Sequence, residues 1–186
     1  MTDNIQQRAA KILLDTKSVL FNIDEPFTYT SGRKGPVYID CRRLISFPAE
    51  RTILMDMGAD IIKEKCCDAN YIAGGETAGI PYAAFIAERL NLPMLYVRKK
   101  PKGFGRMAQI EGHMDEHGKN VILIEDVQNF GTSTRTFVPV LREAGAVCDH
   151  NFVIFKHGHK ETEQEMADMG VTMHALADWW AVLDVA

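Results

Sequence analysis

With 186 residues, 46% of them apolar, the chain is long enough for one domain with a full hydrophobic core and too apolar to be disordered. A formal charge of -4 argues against a general nucleic-acid coat, and no apolar run approaches the roughly 20 residues that span a membrane. The polar start MTDNIQQRAAKILLD and four cysteines without CxxC or zinc spacing (Cys41, Cys66, Cys67, Cys148) lead to the expectation of a soluble cytoplasmic protein with reduced thiols.

Residues 3–20 are predicted as an amphipathic helix capped by Asp3 or Asn4, with Ile5, Ala9, Ile12, Leu13, Val19 and Leu20 as its apolar stripe. A turn-rich stretch, TYTSGRKGP (28–36), leads into a strand over 37–41. Ser46 and Pro48 open a helix over 48–65, with Ile53, Leu54, Met57, Ile61 and Ile62 in helical period. Strand and helix then alternate. Short strands are predicted at 71–73, 94–97, 121–124, 152–155 and 171–176. Helices are predicted at 78–91, 132–144, 161–169 and 178–184, with Pro139 expected to kink the second of these. The pattern implies βαβ units and a mainly parallel sheet flanked by helices. Ligands of such sheets bind beyond the C-terminal ends of the strands. The loops that matter are therefore 74–80, 98–112, 125–134 and 156–160.

The most informative segment is VILIEDVQNFGTST (121–134). A buried strand runs into two carboxylates, Glu125 and Asp126, and then through Val127, Gln128, Asn129 and Phe130 to Gly131. Thr132, Ser133 and Thr134 follow at a helix start. Gly131 lets backbone approach an anion, and the first amides of a helix point outward, unpaired, at its positive end. The carboxylates can accept hydrogen bonds from vicinal ribose hydroxyls. No Gly-Lys-Ser/Thr follows, so this is not a Walker A loop.

This segment resembles the phosphoribosyl pyrophosphate (PRPP) motif of type I phosphoribosyltransferases, and the resemblance extends over roughly residues 10–184. It implies the fold of that family: a mainly parallel central sheet flanked by helices (core about 46–160) and a small hood from residues 1–45 and the C-terminal segment. It also implies ribose binding by Glu125 and Asp126 and 5′-phosphate binding by Gly131, Thr132 and Ser133. Val127, Gln128, Asn129 and Phe130 belong to the same PRPP-binding stretch.

Five positive charges crowd the loop VRKKPKGFGRMAQIEG (97–112): Arg98, Lys99, Lys100, Lys102 and Arg106. With glycines at 103 and 105, such a loop can close over pyrophosphate and exclude water. It is similar to the catalytic loop of orotate phosphoribosyltransferases, matching at Arg98, Lys99, Lys102 and Gly105, with Phe104 where the family has His. The resemblance implies that Arg98, Lys99, Lys102 and the Phe104 position contact PRPP. Lys99 and Lys102 would act catalytically with Glu125 and Asp126, and the loop would be shared across a homodimer.

Residues 27–40 resemble the segment flanking the base in the orotate enzymes, which would set Tyr38 and Ile39 beside the ring. Residues 72–84 resemble the pyrophosphate loop, with Glu76, Thr77 and Ala78 at the strand end. Asn129 stands where the family's motif has Thr, and His157 near the position of an orotate-gripping Arg, so both are assigned to the base. His157 and His159 are otherwise read as part of a solvated loop, a metal pair being the alternative. The implied cofactor is Mg²⁺, held mainly through PRPP and by no residue directly. Three functions stay open at this point: transfer to orotate, transfer to another base, and PRPP sensing without catalysis.

Overall fold

The computed structural model of the protein describes residues 2–29, 32, 34–103, 109–114 and 118–186, with side chains from residue 5 onward. Phe104, Gly105 and Arg106 lie outside the described residues.

Helix α1 (Thr2–Asp15) buries Ala9, Ala10 and Leu13 but ends sooner than its apolar pattern suggests. The amides of Ser18 and Lys17 bond back to the carbonyls of Leu13 and Leu14, with Lys17 at φ 56°. This left-handed closure is one that glycine usually provides. Val19 and Leu20 therefore leave the predicted helix and form β1 (Val19–Phe21), which pairs antiparallel with β4 (Val37–Ile39). Between them β2 (Phe27–Thr28) and β3 (Lys34–Gly35) make a small hairpin. A 3₁₀ turn (Cys41–Ser46) leads into α2 (Pro48–Lys65), where Pro48 occupies the first helical turn, a position that requires no amide donor.

The rest alternates as expected except for one unpredicted short strand, β7, within the segment read as loop 98–112: β5 (Tyr71–Gly75), α3 (Gly79–Leu90), β6 (Met94–Val97), β7 (Ile110–Glu111), β8 (Asn120–Gln128), α4 (Thr132–Glu143), β9 (Val147–Lys156), α5 (Lys160–Asp168), β10 (Thr172–Asp178) and α6 (Trp179–Val185). The central sheet has the order β10-β9-β8-β5-β6-β7, parallel except for β7 against β6. Period-two alternation splits the core in two. Ile72, Ile122 and Ile124 face α1, α2 and α3, whereas Ala73, Val121 and Leu123 face Phe137, Val138 and Leu141 of α4. Pro139 lies inside α4 without ending it, because it sits on the exposed face, where the carbonyl it leaves unpaired can meet water.

The strand order reverses direction between β5 and β8. From β5 the chain crosses through α3 to β6 on one side, and from β8 through α4 to β9 on the other. The crevice between the C-terminal ends of these two strands is where an open α/β sheet binds its ligand. Close approach at this point is built in: a β-carbon on Gly79 would overlap the Ile124 carbonyl oxygen and come within 2.7 Å of Glu125 Oε1. Gly79→Ala is expected to lower the unfolding free energy by about 2–3 kcal/mol, read by urea denaturation. An unchanged midpoint would mean that α3 can draw back from β8 freely. Among the described residues no helix is long and apolar enough to cross a membrane.

Candidate active site

Strand β8 does not stop at its apolar run. Glu125 pairs in register with Val153, Val127 with Phe155 and Gln128 with Lys156, so the two acids belong to the strand's last turn of pleat and the loop is only 129–131. Successive side chains of a strand point to opposite faces. Glu125 therefore turns to the α4 side, beside Gly75 and Phe137, and Asp126 to the side of the 3₁₀ turn, where Arg42 Nε lies 3.5 Å from its carboxylate.

The two carboxyls are electrostatically unlike. Glu125 is 5% exposed, and burial, reinforced by the negative charge of Asp126, pushes its pKa up to about 8 against the pull of the Ser133 hydroxyl, Lys99 and Arg42. Its Oε1 has no hydrogen-bond partner. Asp126 is also raised by burial, but Arg42 and backbone amides oppose the shift, and its side chain keeps 14% exposure. The pair thus offers one carboxyl that holds its proton at neutral pH and one beside a guanidinium.

After Gln128 the chain passes Asn129 and Phe130 to Gly131, which caps α4 at φ 71° without a side-chain hydrogen bond. The first intrahelical bond is donated by Arg135 to the Gly131 carbonyl, which leaves the amides of Thr132, Ser133 and Thr134 outside the ladder. Beneath this turn lies a concavity of about 150 Å³ bounded by Glu125, Gln128, Gly131, Thr132, Ser133 and Asn151. Several of its polar atoms are buried and unpartnered: both amide atoms of Gln128, Asn151 Oδ1 and Glu125 Oε1. Buried polar atoms ordinarily have partners, so this cluster is suited to a polar guest. Thr134 turns inward instead, its hydroxyl accepting from Asn151 Nδ2 at 2.7 Å.

The basic loop leaves the sheet at its antiparallel edge. Lys99 donates its backbone amide to Glu76 Oε2 at 2.6 Å, and its charge reaches Glu125. Arg98 and Lys102 are drawn to Glu111 of β7 instead, Arg98 Nη1 at 3.4 Å and Lys102 in a closer ion pair. The Lys102 contact holds the Glu111 carboxyl below the usual carboxylate range.

The structure makes two changes to the site read from the sequence. The histidines after β9 are not a solvated loop. His157 packs edge-on to Phe155 and Trp179 and accepts a 3.3 Å hydrogen bond from Trp179 Nε1, while His159 stacks on Phe130 at 5.0 Å and meets Asn129 Oδ1 at 3.0 Å. Burial, with His159 nearby, lowers the His157 pKa to about 4. Its ring is neutral at pH 7, with Nδ1 accepting from Trp179 and Nε2 left as the donor. The second change is Arg42, which sequence reasoning passed over because it follows a short strand with no motif of its own. Tyr38 is 42% exposed and rests against Phe27 at 5.6 Å, and Ile39 is half-buried two residues before the 3₁₀ turn.

An acid pair at the end of a parallel strand and a glycine-capped helix start meet at one crevice, with cationic residues at the neighbouring sheet edge, an arrangement suited to a phosphorylated sugar. The sequence matches the family described as Phosphoribosyl transferase domain over residues 54–183. It is 51% identical over 184 residues to "Orotate phosphoribosyltransferase" of Ruegeria sp. (strain TM1040), covering 97% of this chain and 81% of that one. It is 49% identical over 183 residues to the protein of the same name from Rhizobium rhizogenes, covering 95% and 77%. The crystal structure of orotate phosphoribosyltransferase from Aeropyrum pernix superposes with a TM-score of 0.80 at 31% identity, over 94% of this chain and 96% of that one. The chain belongs to the orotate phosphoribosyltransferase family.

Proposed function

We propose that the protein transfers the 5-phosphoribosyl group of PRPP to orotate, forming orotidine 5′-phosphate and pyrophosphate in pyrimidine nucleotide synthesis. The observation that carries this reading is the β8–α4 corner, where unpaired helix amides and buried, unpartnered polar atoms surround a small polar concavity. The 5′-phosphate would sit on the amides and hydroxyls of Gly131, Thr132 and Ser133. Glu125 and Asp126 would engage the ribose from the two sides of β8, with Val127, Gln128, Asn129 and Phe130 as the wall of that cradle. Tyr38 and Ile39 would flank the base. Asn129, braced by His159, and the neutral His157 would donate to its oxygens.

In the reaction a base nitrogen forms a bond to ribose C1′ while the bond from C1′ to the pyrophosphate oxygen breaks. The electron pair leaves with pyrophosphate, and the orotate nitrogen gives up its proton. Positive charge develops on the sugar and negative charge on the leaving group, so catalysis is mainly electrostatic. Asp126 would stabilise the cationic ribose. Arg98, Lys99, Lys102 and the loop around Phe104 would meet the pyrophosphate. A hard divalent cation needs oxygen ligands. Magnesium would be held mainly through PRPP's own oxygens, and Asp126, which faces the Arg42 guanidinium, would be the carboxylate nearest to supply a further oxygen. When bound, it would neutralise the departing pyrophosphate.

We further propose a homodimer that shares loop 98–112 between sites, and a cytoplasmic location in keeping with four free thiols. Lys102→Ala is expected to lower turnover roughly 10- to 100-fold, and as an exposed substitution to leave stability within about 0.5 kcal/mol. Unchanged turnover would remove Lys102 from the reaction. The deciding experiment is pyrophosphate release from PRPP and Mg²⁺ against a panel of bases. Release with orotate supports the proposal, release only with another heterocycle replaces the base, and PRPP binding without release under any base makes the protein a sensor.

A further inference from the structure

We propose that Cys66, His150 and His174 form a second metal site, specific for a borderline divalent cation such as Zn²⁺, at the end of the sheet opposite the PRPP crevice. Cys66 closes α2, and His150 and His174 lie on the same face of the paired strands β9 and β10. One ligand atom from each of the three lies within 4.8 Å of the other two. Cys66 Sγ is 3.6 Å from His174 Nε2, and His150 Nδ1 is 3.0 Å from the same nitrogen.

These separations can be set against what a tetrahedral ion needs. Zinc–nitrogen bonds of about 2.0 Å and zinc–sulfur bonds of about 2.3 Å require roughly 3.3 Å between two nitrogens and roughly 3.6 Å between nitrogen and sulfur. The sulfur–nitrogen distance already matches. The two imidazoles now share a proton, and an ion in its place needs them a few tenths of an ångström farther apart, with their lone pairs re-aimed to a common point. Binding also removes the Cys66 thiol proton, which passes to solvent as the sulfur–metal bond forms.

The donor set selects the ion. Two imidazoles and a thiolate, with no carboxylate among them, suit Zn²⁺ or Co²⁺ and disfavour Mg²⁺. Cys66 is buried and both histidines are half-buried, so the cluster is partly open and a water can take the fourth position. His150 lies six residues before Lys156, where β9 ends at the crevice side, about 20 Å away at the rise of a strand. The ion would not touch PRPP. Its effect would be to tie α2 to β9 and β10, adding its binding energy to folding. The sequence hides the site because the ligands are 108 and 24 positions apart, with no spacing motif.

The test uses the full-length protein stripped with a chelator and titrated with Co²⁺ in the absence of PRPP. The expected result is one Co²⁺ per chain with intense tetrahedral visible bands and a thiolate-to-cobalt band in the near ultraviolet, displaced by Zn²⁺. Both signatures should vanish in Cys66→Ser, the visible bands should weaken strongly in His150→Gln and His174→Gln, and Cys67→Ser should behave as wild type. Zn²⁺ should raise the thermal midpoint of the wild type and not that of His150→Gln. A featureless cobalt spectrum at stoichiometric metal, or a thiolate band that survives Cys66→Ser, would overturn the site and leave a hydrogen-bonded Cys–His–His cluster, whatever the outcome of the transferase assays.

Discussion

Asp126→Asn should lower kcat/KM for PRPP by about 10²- to 10³-fold while leaving the fold in place. Asp126 sits in the last part of β8, on the face toward the 3₁₀ turn, with Arg42 Nε 3.5 Å away. Asparagine keeps the shape and a hydrogen-bonding oxygen but removes the negative charge. If that charge stabilises a ribose turning cationic, the loss appears in the transition state rather than in substrate binding, so kcat should fall more than KM rises. A loss of this size corresponds to about 2.7–4 kcal/mol of barrier. The fold should be kept, with stability at neutral pH equal to or above that of the wild type, because the pair with the largely exposed Arg42 contributes little and asparagine removes a buried charge whose pKa burial has raised. Steady-state kinetics with PRPP varied at saturating orotate, together with thermal unfolding, measure both effects. A variant within threefold of wild type would mean that Asp126 only holds Arg42 and takes no part in the chemistry.

The parts of this site that the sequence discloses are those in which local chemistry and tertiary structure agree. An apolar run, two acids, Gly131 and three hydroxyl residues specify a buried strand, a tight turn and a helix start at once, and β8 and α4 follow. The remainder depends on contacts distant in sequence. β8 runs on through Glu125 and Asp126 because Val127 and Gln128 find partners in Phe155 and Lys156; taken alone, two carboxylates suggest a strand that has reached the surface. α1 closes after Asp15 because Lys17 adopts a left-handed conformation without the glycine that would announce it. Arg42 acquires meaning only when the 3₁₀ turn packs beside β8. His159 becomes a brace for Asn129 only when its ring meets Phe130. Periodicity registers which face of an element is apolar, and it carries no information about which ring lies on which.

Glu125 makes the second large prediction, and its sign is opposite to that of most carboxylates. In the unfolded chain the carboxyl returns to its usual 4.5, whereas in the folded protein burial holds the proton to about 8. Below pH 4.5 both states are protonated and the group does not affect the balance. Between 4.5 and 8 the folded state binds more protons than the unfolded one, so stability falls as pH rises, and above 8 the full cost is present. Its contribution is on the order of 5 kcal/mol. Asp126 is raised too, so it adds to the same downward slope at lower pH. Glu125→Gln replaces the protonated acid by a neutral group of the same shape that can still meet the Ser133 hydroxyl. The variant should match the wild type near pH 4.5 and exceed its stability by an amount that grows toward pH 8.5. Urea unfolding free energies at half-unit pH steps read this directly as a difference in slope. Parallel curves for the two proteins would show that Glu125 is ionised and solvated in the folded state, and the picture of a protonated carboxyl under the ribose would have to be given up. If the slopes diverge, the enzyme keeps a neutral hydrogen-bond donor and a charged acid on adjacent residues of one strand, and the separation of their roles comes from the pleat of β8, which buries one beside Phe137 and leaves the other facing Arg42.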